Sequence, residues 1–329
     1  MMANLKAGLI GVGSMGRHHA RVLHSLDGVD LVGVVDPEGD RHGAAGGANI
    51  LATVEELIAL GVDYVTVAVP TAFHEEVALT LAGAGVHTLV EKPLAHDVES
   101  AERITEAFES ASLVGAVGHI ERYNPAVQNL RMRLEDGDLG EVYQIATRRQ
   151  GPFPNRIADV GVVKDLATHD IDLAAWVTKS RYTSVSAQTA HKSGREHEDL
   201  IAITGRFESG VVANHLVNWL SPMKERMTVV TGERGAFVAD TLAADLTFYA
   251  NGTVATTWDR IAGFRGVSEG DIIRYAISKV EPLLTEHCSF RDAVRGDDNE
   301  IVSMREGLQT VRVAAAALES ARTGTAVSL

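Results

Sequence analysis

One cysteine, Cys288, stands among 329 residues. Its isolation excludes an intramolecular disulfide and any zinc cluster built on thiolates, and it fits a reducing, cytoplasmic setting. Positive charge is also short: 30 Lys and Arg face 44 Asp and Glu, for a formal net charge of -14. No long basic tract follows a phosphate backbone, so nucleic acid is not an expected partner. No apolar run approaches the ~20 residues that a bilayer-spanning helix needs, and the N-terminus leads into a core strand rather than a signal peptide. A membrane partner is therefore not expected either. Internal repeats and low-complexity segments are absent as well. What remains, at 45% hydrophobic residues, is a globular chain long enough for two domains.

The most informative stretch lies near the start. LKAGLIGVG reads as a buried strand and SMGRHHARVLHSL as an amphipathic helix, with Gly11, Gly13, Ser14, Met15 and Gly16 forming a G-x-G-x-x-G turn between them. In such a turn the first glycine permits the sharp bend, the second lets a pyrophosphate approach the backbone, and the third lets helix and strand pack closely. The helix N-terminus then offers free N-H groups and a partial positive charge to phosphates. A second apolar run, Val29 to Val35, ends in Asp36. An acidic residue about 20 positions past the glycines hydrogen-bonds adenosine ribose hydroxyls and repels a 2'-phosphate, so NAD is expected rather than NADP.

Alternation continues through the first third. TVEELIAL (Thr53 to Leu60) carries a capping Thr, YVTVAV (Tyr64 to Val69) is β-branched, and helices are expected over His74 to Ala84 and Ser100 to Ser110. Strands are expected over His87 to Val90 and Leu113 to Val117. Right-handed βαβ units of this kind build a parallel sheet whose ligands bind at the carboxyl ends of its strands. The loops at Gly11, Asp36, Pro70, Lys92 and His119 therefore emerge on one edge. After a linking helix, Pro125 to Asp136, the pattern turns to short β-rich segments: EVYQIATRRQ, SVSAQTAHKS, DLIAITGRF, GVVANHLVNWL, RMTVVTG, AFVAD, DLTFYA and TVATTWD. Turns at Ser209-Gly210 and Asn251-Gly252 suggest an antiparallel meander.

AVPTAFH (Ala68 to His74), EKPLA (Glu91 to Ala95), VGHIERYNP (Val117 to Pro125) and KDLATHDIDL (Lys164 to Leu173) stand in the order and spacing of the Gfo/Idh/MocA oxidoreductases, which the chain resembles over its whole length. The resemblance implies an α/β fold: a Rossmann NAD-binding domain over 1-122 and a second domain over 123-329 with a large open, mostly antiparallel sheet, closed by a helix over 303-323. It implies cofactor contacts at Ala68, Pro70, Thr71, His74, Glu91, Lys92 and Pro93, and a homodimer or homotetramer formed through the open sheet. GPFP-x-R before DVGVVKDLATHDID looks most like the branch that acts on UDP-linked amino sugars at C3.

Lys92, Asp165 and His169 form the expected catalytic set. Asp165 and His169 are four apart and share one helical face, and His suits a general base for a substrate hydroxyl. Asp165 would orient the imidazole or bind a neighbouring hydroxyl. The resemblance places Lys92 near nicotinamide and substrate oxygen, where an ammonium stabilises a developing alkoxide. Alone, D-x-x-x-H also fits a helix-start Asp and a surface His. Asp170 and Asp172 read as caps or structural salt links, and His19 as helix-to-sheet packing. A zinc site on Asp165, His169 and Asp172 lacks a supporting His-rich motif, so no metal is expected. Arg148, Arg149, Arg156 and Lys164 cluster before the catalytic helix and suit an anionic substrate or a charged sheet face. Arg122, Tyr123 and Asn124 match a segment lining the nicotinamide end of the cleft, although Glu121 stands where the family often has a second basic residue. The expected reaction is hydride transfer between a secondary hydroxyl of a sugar or nucleotide sugar and NAD. An inositol or free-sugar dehydrogenase and a non-catalytic dinucleotide-binding regulator are the alternatives.

Overall fold

The computed structural model describes residues 3-154, 160-252, 268-297 and 300-329. The chain divides into two compact units, Met1-Ile120 with Glu281-Ala315, and Glu121-Val280 with Ala316-Leu329.

Unit 1 is organised by six parallel strands in the order β3-β2-β1-β4-β5-β6. They are β1 (Leu5-Ile10), β2 (Val29-Val35), β3 (Asn49-Leu51), β4 (Tyr64-Val67), β5 (His87-Glu91) and β6 (Gly115-Gly118). Helices α1 (Gly16-Ser25), α2 (Val54-Ala59), α3 (His74-Gly83) and α4 (Val98-Ser110) connect them. Strand residues alternate between two cores, as a sheet covered on both faces requires. Ala7, Leu9, Tyr64, Leu89 and Ala116 pack with α1 and with Phe290 of α7 (Pro282-Val294). Ile10, Val65, Val67, Val90 and Val117 pack with Leu57, Leu81, Ile104 and Phe108 of α2 to α4 and with Leu308 of α8 (Met304-Thr323). Thr53 caps α2 by accepting from Glu56 N, and Asp97 caps α4 by accepting from Ser100 N.

Unit 2 holds a nine-stranded sheet in the order β14-β13-β12-β11-β7-β10-β9-β8-β15. Its strands are β7 (Val142-Pro152), β8 (Tyr182-Ala190), β9 (Leu200-Phe207), β10 (Val212-Asn218), β11 (Leu220-Gly232), β12 (Gly235-Asp240), β13 (Asp245-Gly252), β14 (Ser268-Arg274) and β15 (Val327-Ser328). Helices α5 (Pro125-Glu135) and α6 (Thr168-Thr178) pack on it. The fold class is thus mixed α/β with a Rossmann-like parallel sheet and a second, mostly antiparallel one.

Four features differ from the sequence reading. Strand β7 inserts between β10 and β11 and runs parallel to β10, so the second sheet is not a simple meander. Asn251 and Gly252 pair with Glu269 and Ser268 inside β13 instead of forming a turn. Three residues, Asn49-Leu51, add an edge strand too short to show periodicity. Glu281-Ala315 clusters with unit 1, whereas the sequence boundary put everything after residue 122 in the second domain. The expected strand TVATTWD lies outside the described residues.

Candidate active site

In unit 1 the glycine turn follows β1, next to β4, where the strand order reverses direction and doubly wound sheets bind nucleotides. Gly11 has φ +87°, and a Cβ there would lie 2.7 Å from Ala68 O. A Cβ on Gly16 would come within 1.8 Å of Gly11 O. Both positions therefore require glycine. Gly13 has nothing within 4 Å of its Cβ direction, and Gly13, Ser14 and Met15 are exposed. This is a backbone cradle open to a ligand at the N-terminus of α1. Asp36 closes its far side: one carboxylate oxygen accepts from Val12 N at 2.9 Å and the other from Glu38 N at 2.9 Å. The cradle, the helix N-terminus and the anchored acid fit a dinucleotide.

Ala68, Pro70 and Thr71 continue from β4 along the same edge, with Pro70 exposed and Ala68 and Thr71 half-buried. His74 is buried, its ring nitrogens 2.9 Å from Pro93 O and 3.0 Å from Val69 O. It links the segments that follow β4 and β5, and burial lowers its pKa against those carbonyls. Lys92 follows β5, half-buried, and Pro93 is buried behind it. Glu91 points into the unit: its Oε2 accepts the Lys92 N-H at 3.0 Å and its Oε1 lies 2.8 Å from His19 Nε2.

In unit 2 Asp165 sits in a single π-helical turn, Val163-Ala167, that runs directly into α6. Such turns widen a helix locally and recur at functional sites. Asp165 is buried and His169, one turn on, is half-buried. Glu198 supports the start of this segment by accepting from Val163 N at 3.0 Å. The acids that follow are tied inward. Arg122 grips Asp172 with two contacts, Nε to Oδ2 at 2.8 Å and Nη2 to Oδ1 at 2.6 Å, and its guanidinium lies over Trp176. Arg149 donates to Asp170 at 2.8 Å and to Glu121 at 2.9 Å, and Arg226 lies 3.3 Å from Glu121. Burial would raise Glu121, but Arg149 and Arg226 outweigh it and hold the carboxyl below its ordinary range. Asp170, in contrast, is raised by burial despite Arg149.

Several expected substrate residues thus have internal partners. Arg122 is engaged with Asp172, Tyr123 is buried, and Asn124 caps α5 by accepting from Ala126 N while donating to Thr241 O. The arginine cluster is divided by strand alternation: Arg149 is buried, whereas Arg148 projects from the opposite face of β7 and pairs with Glu225 at 3.3 Å. Arg156 lies outside the described residues. Glu121, noticed in the sequence only as a departure, proves to be the acid that neutralises Arg149 and Arg226. Among the described residues no group of three or more His, Cys, Asp and Glu side chains is arranged to hold a metal ion. None of their helices is long and apolar enough to cross a membrane.

Residues 5-119 match the sequence model of the oxidoreductase family with an NAD-binding Rossmann fold, and residues 127-238 match the GFO/IDH/MocA C-terminal domain. The UDP-N-acetylglucosamine 3-dehydrogenase of Acidithiobacillus ferrooxidans is 32% identical over 216 residues, covering 65% of this chain and 66% of that protein. A solved structure of the enzyme of that name and organism superimposes with a TM-score of 0.84 at 26% identity, over 98% of this chain and 99% of that one. An inositol 2-dehydrogenase of Corynebacterium glutamicum is 31% identical over 229 residues, covering 66% of this chain and 68% of that protein. GenD2 from gentamicin A biosynthesis, solved in complex with NAD, gives a TM-score of 0.82 at 26% identity, over 100% of this chain and 97% of that one. The aligned segments of the two curated relatives span about two thirds of their length.

Proposed function

This chain belongs to the Gfo/Idh/MocA family of NAD-binding oxidoreductases, and on that premise we propose that it oxidises a secondary hydroxyl of a nucleotide sugar, C3 of a UDP-linked amino sugar being the preferred candidate. The observation that carries the reading is the placement of Lys92 on the same carboxyl edge of one parallel sheet as the Gly11 to Gly16 cradle and Asp36. A cradle without the lysine would fit a sensor; the lysine on the same sheet edge fits an enzyme.

Gly13, Ser14 and Met15 and the N-terminus of α1 would hold the pyrophosphate, and Asp36 the adenosine ribose. Bound NAD would supply the hydride acceptor. Asp36 favours NAD over NADP because a 2'-phosphate would meet its carboxylate. His169 is assigned as the base that takes the hydroxyl proton, and Asp165, one turn earlier, as the group that orients the imidazole or binds an adjacent hydroxyl. Lys92 is assigned to the substrate oxygen, where its ammonium stabilises developing negative charge. Arg156 is assigned to the anionic part of the substrate from its place in the GPFP-x-R motif.

The test is the appearance of NADH absorbance when purified protein and NAD meet UDP-sugars, free hexoses and inositols. Turnover confined to UDP-N-acetylglucosamine and its relatives supports the proposal, with NADP much the poorer cofactor. Turnover of inositols alone replaces the substrate by the one named for the Corynebacterium glutamicum relative. Silence with every alcohol, while NADH still binds, overturns the enzyme reading in favour of a dinucleotide-binding regulator.

A further inference from the structure

Three side chains that the proposed chemistry leaves unused meet inside unit 1. His19 comes from α1, Glu91 from the end of β5, and His287 from α7; none is more than 8% exposed. His287 Nε2 lies 2.8 Å from His19 Nδ1, and His19 Nε2 lies 2.8 Å from Glu91 Oε1. Glu91 Oε2 then accepts the backbone N-H of Lys92. The contacts run unbroken from α7 to the lysine.

Physical chemistry sets the direction of this chain. Burial would raise Glu91, but the His19 hydrogen bond and the nearby charges outweigh it, so the carboxyl is ionised and can only accept. His19 Nε2 therefore carries a proton. Burial pushes His287 well below the imidazole range, leaving it a neutral ring with one N-H. His19 Nε2 donates to Glu91, and the 2.8 Å contact between His19 Nδ1 and His287 Nε2 is a single N-H···N hydrogen bond. The chain of contacts does not lead to solvent at its inner end: His287 is fully buried, and its Nδ1 has no partner among the described residues. It orients groups instead of conducting protons.

Its surroundings protect the one charge it holds. A Cβ on Gly118 would lie 3.3 Å from Glu91 Cδ, so the bare backbone at the end of β6 leaves room for the carboxylate. Glu286, fully buried with both oxygens unpartnered among the described residues, is pushed up by burial and by Glu91.

We propose that this chain of contacts is a positioning device for Lys92: His287 fixes the orientation of the His19 ring, His19 holds the Glu91 carboxylate, and Glu91 holds the lysine backbone. The lysine is thereby registered against the same helix whose N-terminus forms the cofactor cradle. The inference rests on the role given to Lys92 above. Packing alone would ask only for volume at position 287. Positioning asks for a hydrogen-bonding group.

His287→Leu and His287→Met remove the hydrogen bond to His19 and keep apolar bulk, whereas His287→Gln restores a hydrogen-bonding amide near the Nε2 position. Reductive carbon-13 methylation makes the lysines visible by NMR, and the Lys92 signal is the one lost in Lys92→Arg. In whichever apolar variant retains the wild-type circular dichroism and NADH affinity, the Lys92 signal is expected to move and kcat to fall by about tenfold or more at unchanged KM. His287→Gln is expected to bring both back. An unmoved Lys92 signal in a folded apolar variant overturns the proposal, and so does a Gln variant no better than Leu. If the wild-type protein oxidises no alcohol, the proposed function fails separately, and the Lys92 signal alone decides the inference.

Discussion

His169→Ala and Lys92→Ala are each expected to lower kcat by about 10²- to 10⁴-fold, the usual worth of a positioned base or charge. NADH titration should be little changed, because the Gly11 to Gly16 turn and Asp36 are untouched; undiminished kcat in both variants refutes the assignment. A second residue-scale effect concerns His215, buried between Thr147 Oγ1 at 2.7 Å and the Tyr182 hydroxyl at 2.8 Å. Burial lowers its pKa from 6.5 to about 4. Below pH 6.5 the unfolded chain takes up a proton that the folded chain refuses until about pH 4, so stability falls as pH drops through that window. From pH 7 to pH 5 the loss is about 2 kcal/mol. Urea unfolding at the two values measures the fall, and His215→Gln should reduce it by about 2 kcal/mol, leaving the part contributed by the buried, depressed His74 and His287. The residue types assigned to the chemistry at positions 92, 165 and 169 are legible in the sequence because each stands in a short motif. The engagement of Arg122 with Asp172 and of Arg149 with Glu121 was not, since their partners lie 50 and 28 residues away.

Elements in unit 1 follow their local signals closely. Thr53 does cap a helix, and β2 spans Val29-Val35 as its apolar run suggests. The glycine turn is the element most exposed to a single change. Gly16→Ala places a methyl 1.8 Å from Gly11 O, so the turn must open. Circular dichroism should remain native while NADH affinity falls by about tenfold or more, as expected when a phosphate cradle loses its geometry; unchanged affinity would show that the cradle is not used. The four-residue spacing of Asp165 and His169 by itself reads as plain α-helix. The π-helical turn under Asp165 leaves no mark in periodicity because it widens the helix for only one turn.

The molecule as a whole presents an unfinished surface on the second sheet. Tyr249 and Ile272 pair across β13 and β14, 44% and 65% exposed, and Ile273 beside them, paired with Phe248, is 44% exposed too. A second copy of the chain is the proposed cover, giving a homodimer or homotetramer. Light scattering after size exclusion should report a multiple of the 35.1 kDa chain, and Tyr249→Asp with Ile272→Asp should shift it toward monomer at retained circular dichroism. A monomeric wild-type mass at micromolar concentration refutes the assembly. By itself the sequence determined the βαβ half, its glycine turn and its acidic stop at Asp36, because strand and helix periods and glycine turns act over a few neighbouring residues. Tertiary structure alone decided that β7 runs parallel to β10, that residues 281-315 complete the first unit, and that His19 meets Glu91 and His287, 72 and 268 positions away. Such pairings depend on which buried polar groups can satisfy one another once distant segments pack, and no local pattern encodes that choice.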